Sequence, residues 1–350
     1  MREDVVSYTK GQKYEKPEWL AGRLEWFRSL KFGIIVHWGP YAQWDCCESW
    51  TLVPDCEWSR RDEIKCWVER DRDLARYQSD YWALPSTFNP TNFDANEWAA
   101  AFAESGAKYV CFTTKHHDGF CMWDTATTDY KITGSVCPFG RDVTREVFDA
   151  CRRAGLAISV YFSKPDWHSK YYWDPTLNPI SQGANTVDDP EKWEKFVAFT
   201  HEQIRELMTN YGPVDILWLD GGWVRGAEDI RMAELVTMAR SLQPGLIVAN
   251  RAVGDEFEDF VTPEREIPDE ALPSTWEACL PLCPDWKYVE GQTPKSAQTV
   301  VDEIQYANDR GGNFLLGIGP MADGNLPPDQ LEVLREIGRL RSAQSFIGSL

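Results

Sequence analysis

Apolar residues in this chain come in short blocks that end on polar ones. FGIIVHW (32–38) ends near His37, KYVCFTTKHHDGF (108–120) runs into His116 and His117, and LAISVYFSKPDWH (156–168) ends near Asp166 and His168. VDILWLDGGW (214–223) stops on Asp220, and GLIVANR (245–251) stops on Asn250 and Arg251. STWEACL (274–280) and NFLLGIGP (313–320) are two further blocks. Nearly continuous apolar runs of this length read as parallel strands covered on both faces. Helical spacing fills the intervals. DANEWAAAFAESG (94–106) has Asp94 or Asn96 as cap and Gly106 as stop, and DVTREVFDACRRAG (142–155) places two Arg in its last turn before Gly155. Residues 191–210, 229–241 and 295–309 repeat the pattern.

Strands alternating with helices predict βα units and a parallel sheet. Seven strand candidates with polar C-terminal ends favour a (β/α)8 TIM-like barrel over a doubly wound sheet, and no GxGxxG follows the first strand. The chain reads as a single catalytic barrel domain over 1–350, without linker or internal repeat. The polar stretches 42–93 and 252–273 read as loops at the catalytic end, and about 30 residues after the last strand suffice for one helix, 328–343.

Composition narrows the partners. The formal charge of −19 argues against nucleic acid and anionic membranes, which require basic patches. It suits a neutral small ligand. No run of about 18 apolar residues suggests a membrane span. The charged N-terminus MREDVVSYTKGQKYEKPEWL lacks the apolar stretch of a secretory signal, so the expected location is cytoplasmic, or secreted or periplasmic if a leader has been removed. Ten cysteines show no CxxC or zinc spacing and read as reduced thiols, with a local disulfide open among Cys46, Cys47, Cys56 and Cys66. Seventeen Trp is several-fold above ordinary usage; most must serve packing, but a few flank polar residues of interest.

Asp220 carries the most chemical information. An acid at the end of a buried strand is costly unless it is paired or used, and in barrels of parallel strands that edge is where catalytic groups sit. Trp218 and Trp223 flank it, and flat aromatic faces suit sugar rings. The alternative is an Asp that caps the turn at Gly221. Cleaving a glycosidic bond takes a second carboxyl; Asp255, Glu256, Glu258, Asp259, Glu264 and Glu266 all follow strand 245–251, and composition alone selects none. His37, His116, His117 and His168 lie at strand ends. Adjacent residues on a strand point to opposite faces, so His116 and His117 cannot serve one ion without a bend. Neutral imidazoles donating to sugar hydroxyls fit better than a metal site, with buried core histidines as the alternative.

The runs KFGIIVHWGPYA, AKYVCFTTKHHDGFCMWDTATTDY, FSKPDWH, LWLDGGW, TPEREIP, WEAC and GGNFLLGIGPMADG together resemble the α-L-fucosidases of glycoside hydrolase family 29, from about residue 20 to 340. The resemblance implies a barrel and a retaining double displacement without metal or other cofactor. It places Asp220 as nucleophile and His37, His116, His117 and Arg251 on the fucose ring, with Trp38 and Trp218 as ring neighbours. Glu264 of TPE matches the acid/base best, with Glu277 of WEAC and Glu266 behind it. Glu277, however, lies within a predicted strand. Glu48 of CCESW matches the acid of an EWY-like motif, although Ser49 departs from that pattern. The family commonly carries a C-terminal β-sandwich for which this chain ends too early, and that favours a homo-oligomer.

The expected activity is therefore exo-acting, retaining hydrolysis of terminal α-L-fucosyl linkages in fucosylated oligosaccharides or glycoconjugates. A catalytically silent glycan-binding protein on the same barrel is the rival if no second carboxyl approaches Asp220. A metal-dependent hydrolase using the histidines is the third reading. Linkage and aglycone are not legible.

Overall fold

The computed structural model describes residues 16–172, 189–224, 230–251 and 253–347, with side chains to 343. Most of the N-terminal segment read above, and Ala252, lie outside these residues. Among the described residues seven strands form: β1 (Phe32–Val36), β2 (Tyr109–Lys115), β3 (Ala157–Ser163), β4 (Ile216–Asp220), β5 (Ile247–Asn250), β6 (Glu277–Pro281) and β7 (Asn313–Ile318). All pairings are parallel, in the order β5-β4-β3-β2-β1-β7-β6. Parallel neighbours require crossovers. The helices are α1 (Leu20–Leu30), α2 (Leu74–Trp82), α3 (Ala95–Glu104), α4 (Val143–Arg153), α5 (Pro190–Asn210), α6 (Met232–Leu242), α7 (Ala297–Asp309) and α8 (Pro328–Ile347). Asp94, Asp142, Asp189 and Ser296 cap α3, α4, α5 and α7 by accepting backbone N–H groups of the first turn.

The strands bury both faces, so their side chains divide by parity. Ile34, Val36, Val110, Phe112, Val160, Leu217, Val248 and Leu316 pack outward into the layer that holds Trp98, Phe148, Leu207, Leu235, Val300 and Leu334 of the helices. Ile35, Tyr109, Cys111, Tyr161, Trp218, Ala249, Cys279 and Leu315 form a second, interior cluster. Interior packing is tight: a Cβ on Gly33 would lie 2.5 Å from the Tyr109 ring. α1 contributes Leu20 and Phe27 to this cluster, and Asn313 Nδ2 donates to the Phe27 carbonyl at 2.7 Å. The helix thereby plugs the end of the curled sheet opposite to Asp220.

Where an eightfold barrel was expected, the described residues form a curled seven-stranded parallel sheet, a half-barrel. An irregular segment bridges its two edges. Asp259 N–H donates to the Val248 carbonyl of β5 at 2.9 Å, whereas Val261 N–H and Arg265 N–H donate to the Thr275 and Cys279 carbonyls at 3.0 and 2.9 Å on the β6 side. Val261 and Glu264 make isolated parallel bridges to Trp276 and Cys279. Pro263 lacks an N–H and cannot sustain a ladder, so this stretch is bonded like a strand without being one.

The segment 42–93 departs from its reading as a loop. It holds three 3₁₀ turns, a short helix at Lys65–Val68 and α2, and it buries Leu52, Val53, Tyr77, Tyr81 and Phe88. Short 3₁₀ pieces leave no apolar period to read. All ten cysteines are free thiols, and only Cys47 is not buried. No helix among the described residues is long and apolar enough to cross a membrane.

Candidate active site

The C-terminal ends of the strands enclose a cavity of about 180 Å³. Strand parity selects its floor: His37 follows β1, Tyr161 lies in β3, Trp218 and Asp220 in β4, Arg251 follows β5, and Cys279 lies in β6. Glu48, Trp50, Trp223, Glu264 and Trp286 close the walls from the loops.

His116 and His117 both reach the cavity because the chain bends. The β2–β3 register shifts between Thr113 and Lys115, Lys115 turns away to Asp166 and Gln203 at 3.1 and 2.9 Å, and the two rings follow 4.4 Å apart. Ser49 Oγ sits 2.6 Å from His116 Nδ1 and orients that ring. Nδ1 of His37 and Nδ1 of His117 are buried without a partner among the described residues. Burial disfavours the imidazolium and pushes His37 down to about 3 and His117 to about 4. Burial, with the other two rings, pushes His116 well below its usual range. All three are neutral near pH 7.

Asp220 is the charged centre. Its Oδ1 accepts from Arg251 Nη1 at 2.9 Å and from Gly221 N–H at 2.8 Å, its Oδ2 accepts from Tyr161 Oη at 2.7 Å, and His117 Nε2 lies 3.8 Å away. Burial resists its ionisation, but Arg251, His117, the Tyr161 hydroxyl and the Gly221 amide together outweigh burial and hold the carboxyl far below the carboxylate range. The turn cap envisaged for Asp220 is thus real, and it is one contact of several. Gly221 has φ 86°, and a Cβ there would sit 2.3 Å from Pro165 Cδ, so only glycine fits behind the carboxylate.

Arg251 spans two acids. Its Nη2 donates to Glu264, whose side chain is about 40% exposed at the rim. Asp220 therefore has a second carboxyl close by, which removes the condition for a catalytically silent site. Glu48 is a third: burial pushes it up to about 7, against Lys287, while its Oε1 accepts Lys287 N–H at 3.2 Å.

Four expectations shift. Trp38 faces away from the cavity: its Nε1 donates to the Met321 carbonyl at 2.9 Å and its ring packs on Trp98 and Phe93. Its neighbour His37 points inward, and consecutive strand residues cannot do the same. Glu277 lies inside the curled sheet and does not line the cavity; it accepts from Tyr109 Oη and, at 3.1 Å, from Trp218 Nε1. His168 stacks on Tyr130 with ring centroids 3.8 Å apart, outside the cavity. Glu266 is exposed and lines neither this cavity nor its neighbour. Reading the sequence missed Tyr161, Trp50 and Trp286. Tyr161 carried a usable signal, since its parity matches Ser163 at the strand end. The other two lie on loops without a pattern. Among the described residues no three His, Cys, Asp or Glu side chains are grouped to hold a metal ion.

The chain as a whole has relatives among known proteins. A family model described as Alpha-L-fucosidase matches residues 6–344. The α-L-fucosidase of Dictyostelium discoideum is 26% identical over 375 residues, covering 99% of this chain and 76% of its own. The structure of α-L-fucosidase isoenzyme 1 from Paenibacillus thiaminolyticus matches with TM-score 0.78 at 34% identity, over 93% of this chain and 76% of that one. A family 29 α-L-fucosidase from Bacteroides thetaiotaomicron, solved as a trapped covalent intermediate with 2-fluoro-fucosyl fluoride in a glutamate-to-glutamine mutant, matches with TM-score 0.76 at 25% identity, over 97% of this chain and 78% of that one. The chain spans between 52% and 76% of the length of eight curated relatives it matches.

Proposed function

The chain belongs to the α-L-fucosidase family, and from that premise we propose that it is an exo-acting, retaining α-L-fucosidase. One observation carries the reading. A fixed, ionised carboxylate, Asp220, shares a single guanidinium with a rim carboxylate, Glu264, at the floor of a cavity sized for one sugar ring. Two carboxylates on the two ends of one guanidinium are compatible with the separation of about 5–5.5 Å that retaining pairs use.

In the proposed first step Asp220 attacks the anomeric carbon while Glu264 protonates the departing oxygen. In the second, Glu264 takes a proton from water, which opens the fucosyl ester. Tyr161, Gly221 and Arg251 keep Asp220 aimed and charged. His37, His116 and His117, neutral and with ring nitrogens to spare, suit the hydroxyls of an uncharged sugar. The covalent intermediate described for the Bacteroides enzyme supports a retaining route by family likeness. Nothing in this scheme calls on a metal ion.

A second assignment of the acid has its own support. Glu48 is a carboxyl at about 7 in the same cavity, so it holds a proton near neutrality.

The test is kinetic. Asp220→Gly is expected to lose turnover by orders of magnitude and regain part of it with azide; near-normal turnover without azide refutes the nucleophile. Glu264→Ala is expected to slow a natural fucosyl-oligosaccharide far more than an activated aryl α-L-fucoside, which needs little proton assistance. If Glu48→Gln shows that leaving-group dependence and Glu264→Ala does not, Glu48 is the acid.

A further inference from the structure

Outside the catalytic cavity lies a larger recess of about 570 Å³. The two share Glu48, Trp50, Glu264 and Trp286 as a common wall. Beyond that wall the recess offers Trp58, Arg61, Asp285 and Gln292. If Asp220 faces the anomeric carbon and Glu264 the departing oxygen, whatever the fucosyl group is attached to must extend past Glu264 into this recess. This step rests on the fucosidase reading.

We infer that the recess binds the leaving sugar, and that Trp58 is the platform on which an uncharged pyranose ring lies. Trp58 is 57% exposed, whereas most large apolar side chains in the described residues are buried. A single exposed aromatic residue needs no explanation by itself. Here it lines a recess that shares four wall residues with the catalytic cavity, and its backbone is braced. Ser59, its neighbour, is buried, and its carbonyl accepts from Thr51 Oγ1 at 3.2 Å. Arg60, the next residue, clamps the Val53 and Pro54 carbonyls. Asp45 accepts the N–H groups of Lys65 and Cys66 at 2.5 and 2.9 Å, which ties the two ends of the loop together. The indole is therefore presented outward by a fixed loop and costs little ordering when a ligand arrives.

Trp50 and Trp58, with centroids 5.8 Å apart, form an aromatic wall from the cavity mouth to the outer rim. The C–H face of a pyranose packs on such a wall, and its hydroxyl edge meets Arg61, Asp285 and Gln292. Charge argues for a neutral ring. Arg61 and Arg265 are offset by Glu264 and Asp285 along the same lining, and an anionic sugar would also meet a chain of net charge −19.

The experiment compares three substrates in wild type, Trp58→Ala and Trp58→Phe. α-L-Fucosyl fluoride has a leaving group too small to reach Trp58, a fucosyllactose fills the recess with a pyranose, and octyl α-L-fucoside fills it with an alkyl chain. The readout is kcat/KM for fucosyllactose, using the linkage wild type prefers, divided by kcat/KM for the fluoride. Trp58→Ala is expected to lower that ratio about tenfold, the worth of one aromatic face, and Trp58→Phe to restore most of it. Because Trp58 is exposed, its truncation opens no core cavity. An unchanged ratio overturns the inference. So does an equal loss with octyl fucoside, which would make the recess merely apolar. Failure of wild type to turn over the fluoride refutes the fucosidase reading itself.

Discussion

Replacing Glu277 by Gln should make this protein more stable, increasingly so as pH rises, without abolishing turnover. Glu277 is 1% exposed inside the curled sheet, and burial pushes its carboxyl from 4.5 up to about 7 against the Tyr109 and Trp218 hydrogen bonds. In the unfolded chain the same group ionises near 4.5. Between these values the unfolded state releases a proton that the folded state retains, so stability from this group is full below about 4.5 and lost as pH rises to about 7. By pH 8 the loss is about 3 kcal/mol, at 1.36 kcal/mol per tenfold proton ratio; at pH 5 it is under about 1 kcal/mol. Glutamine has the same shape and no proton to lose. Its oxygen accepts from Trp218 Nε1, and its NH₂ donates to the Tyr109 oxygen. The phenol proton then turns to Asn313, whose Oδ1 is buried without a partner and lies beside it. Urea unfolding of both proteins at pH 5 and pH 8 is the assay. The stability gap should widen by about 2 kcal/mol between them. A gap independent of pH shows that Glu277 is ionised throughout, and the account of its burial is then wrong. Loss of turnover in a folded Glu277→Gln would return Glu277 to the list of acid/base candidates.

Two further outcomes follow from the site. Tyr161→Phe removes the 2.7 Å donor to Asp220 Oδ2; hydrogen bonds to charged groups are worth about 1.5–3 kcal/mol, so kcat/KM should fall by at least about tenfold, and an unchanged value would mean that the bond does not serve the attacking carboxylate. The imidazoles should stay neutral across the working range: ¹⁵N NMR of His37, His116 and His117 from pH 8 to pH 5 is expected to show no titration, since burial holds His37 at about 3 and His117 at about 4 and pushes His116 well below its usual range, and a midpoint near 6 would refute it.

The sheet was legible because each strand is apolar on both faces, and the same property hid which side chain points where. All seven blocks became strands with His37, Asp220 and Arg251 at their ends. Within a block of uniform hydrophobicity, parity leaves no trace. Trp38 was therefore expected beside His37 but packs against Trp98, and Tyr161 was overlooked although it touches Asp220. His116 and His117 share the cavity through a register shift that composition does not announce. The loops were the least legible. Trp50, Trp58 and Trp286 come from stretches without period, and residues 259–265 bridge the sheet edges despite a proline and two acids.

The charges of the cavity fit the proposed reaction better than they fit its substrate. A fucosyl group in the ground state is neutral, and it meets three neutral imidazoles and indole faces. Glu48, at about 7, adds at most a partial charge. Positive charge develops on the ring only in the oxocarbenium-like transition state. Histidines held protonated here would oppose that charge, and burial is what keeps them neutral. Asp220 is the opposite case: three donors, Arg251, the Gly221 amide and the Tyr161 hydroxyl, keep it ionised despite burial, so its field is in place before the charge appears. Only Arg251 opposes it, and Arg251 divides its hydrogen bonds between Asp220 and Glu264. Such a site gains little by binding the neutral sugar more tightly and much by meeting the developing cation, which is the differential that accelerates a reaction.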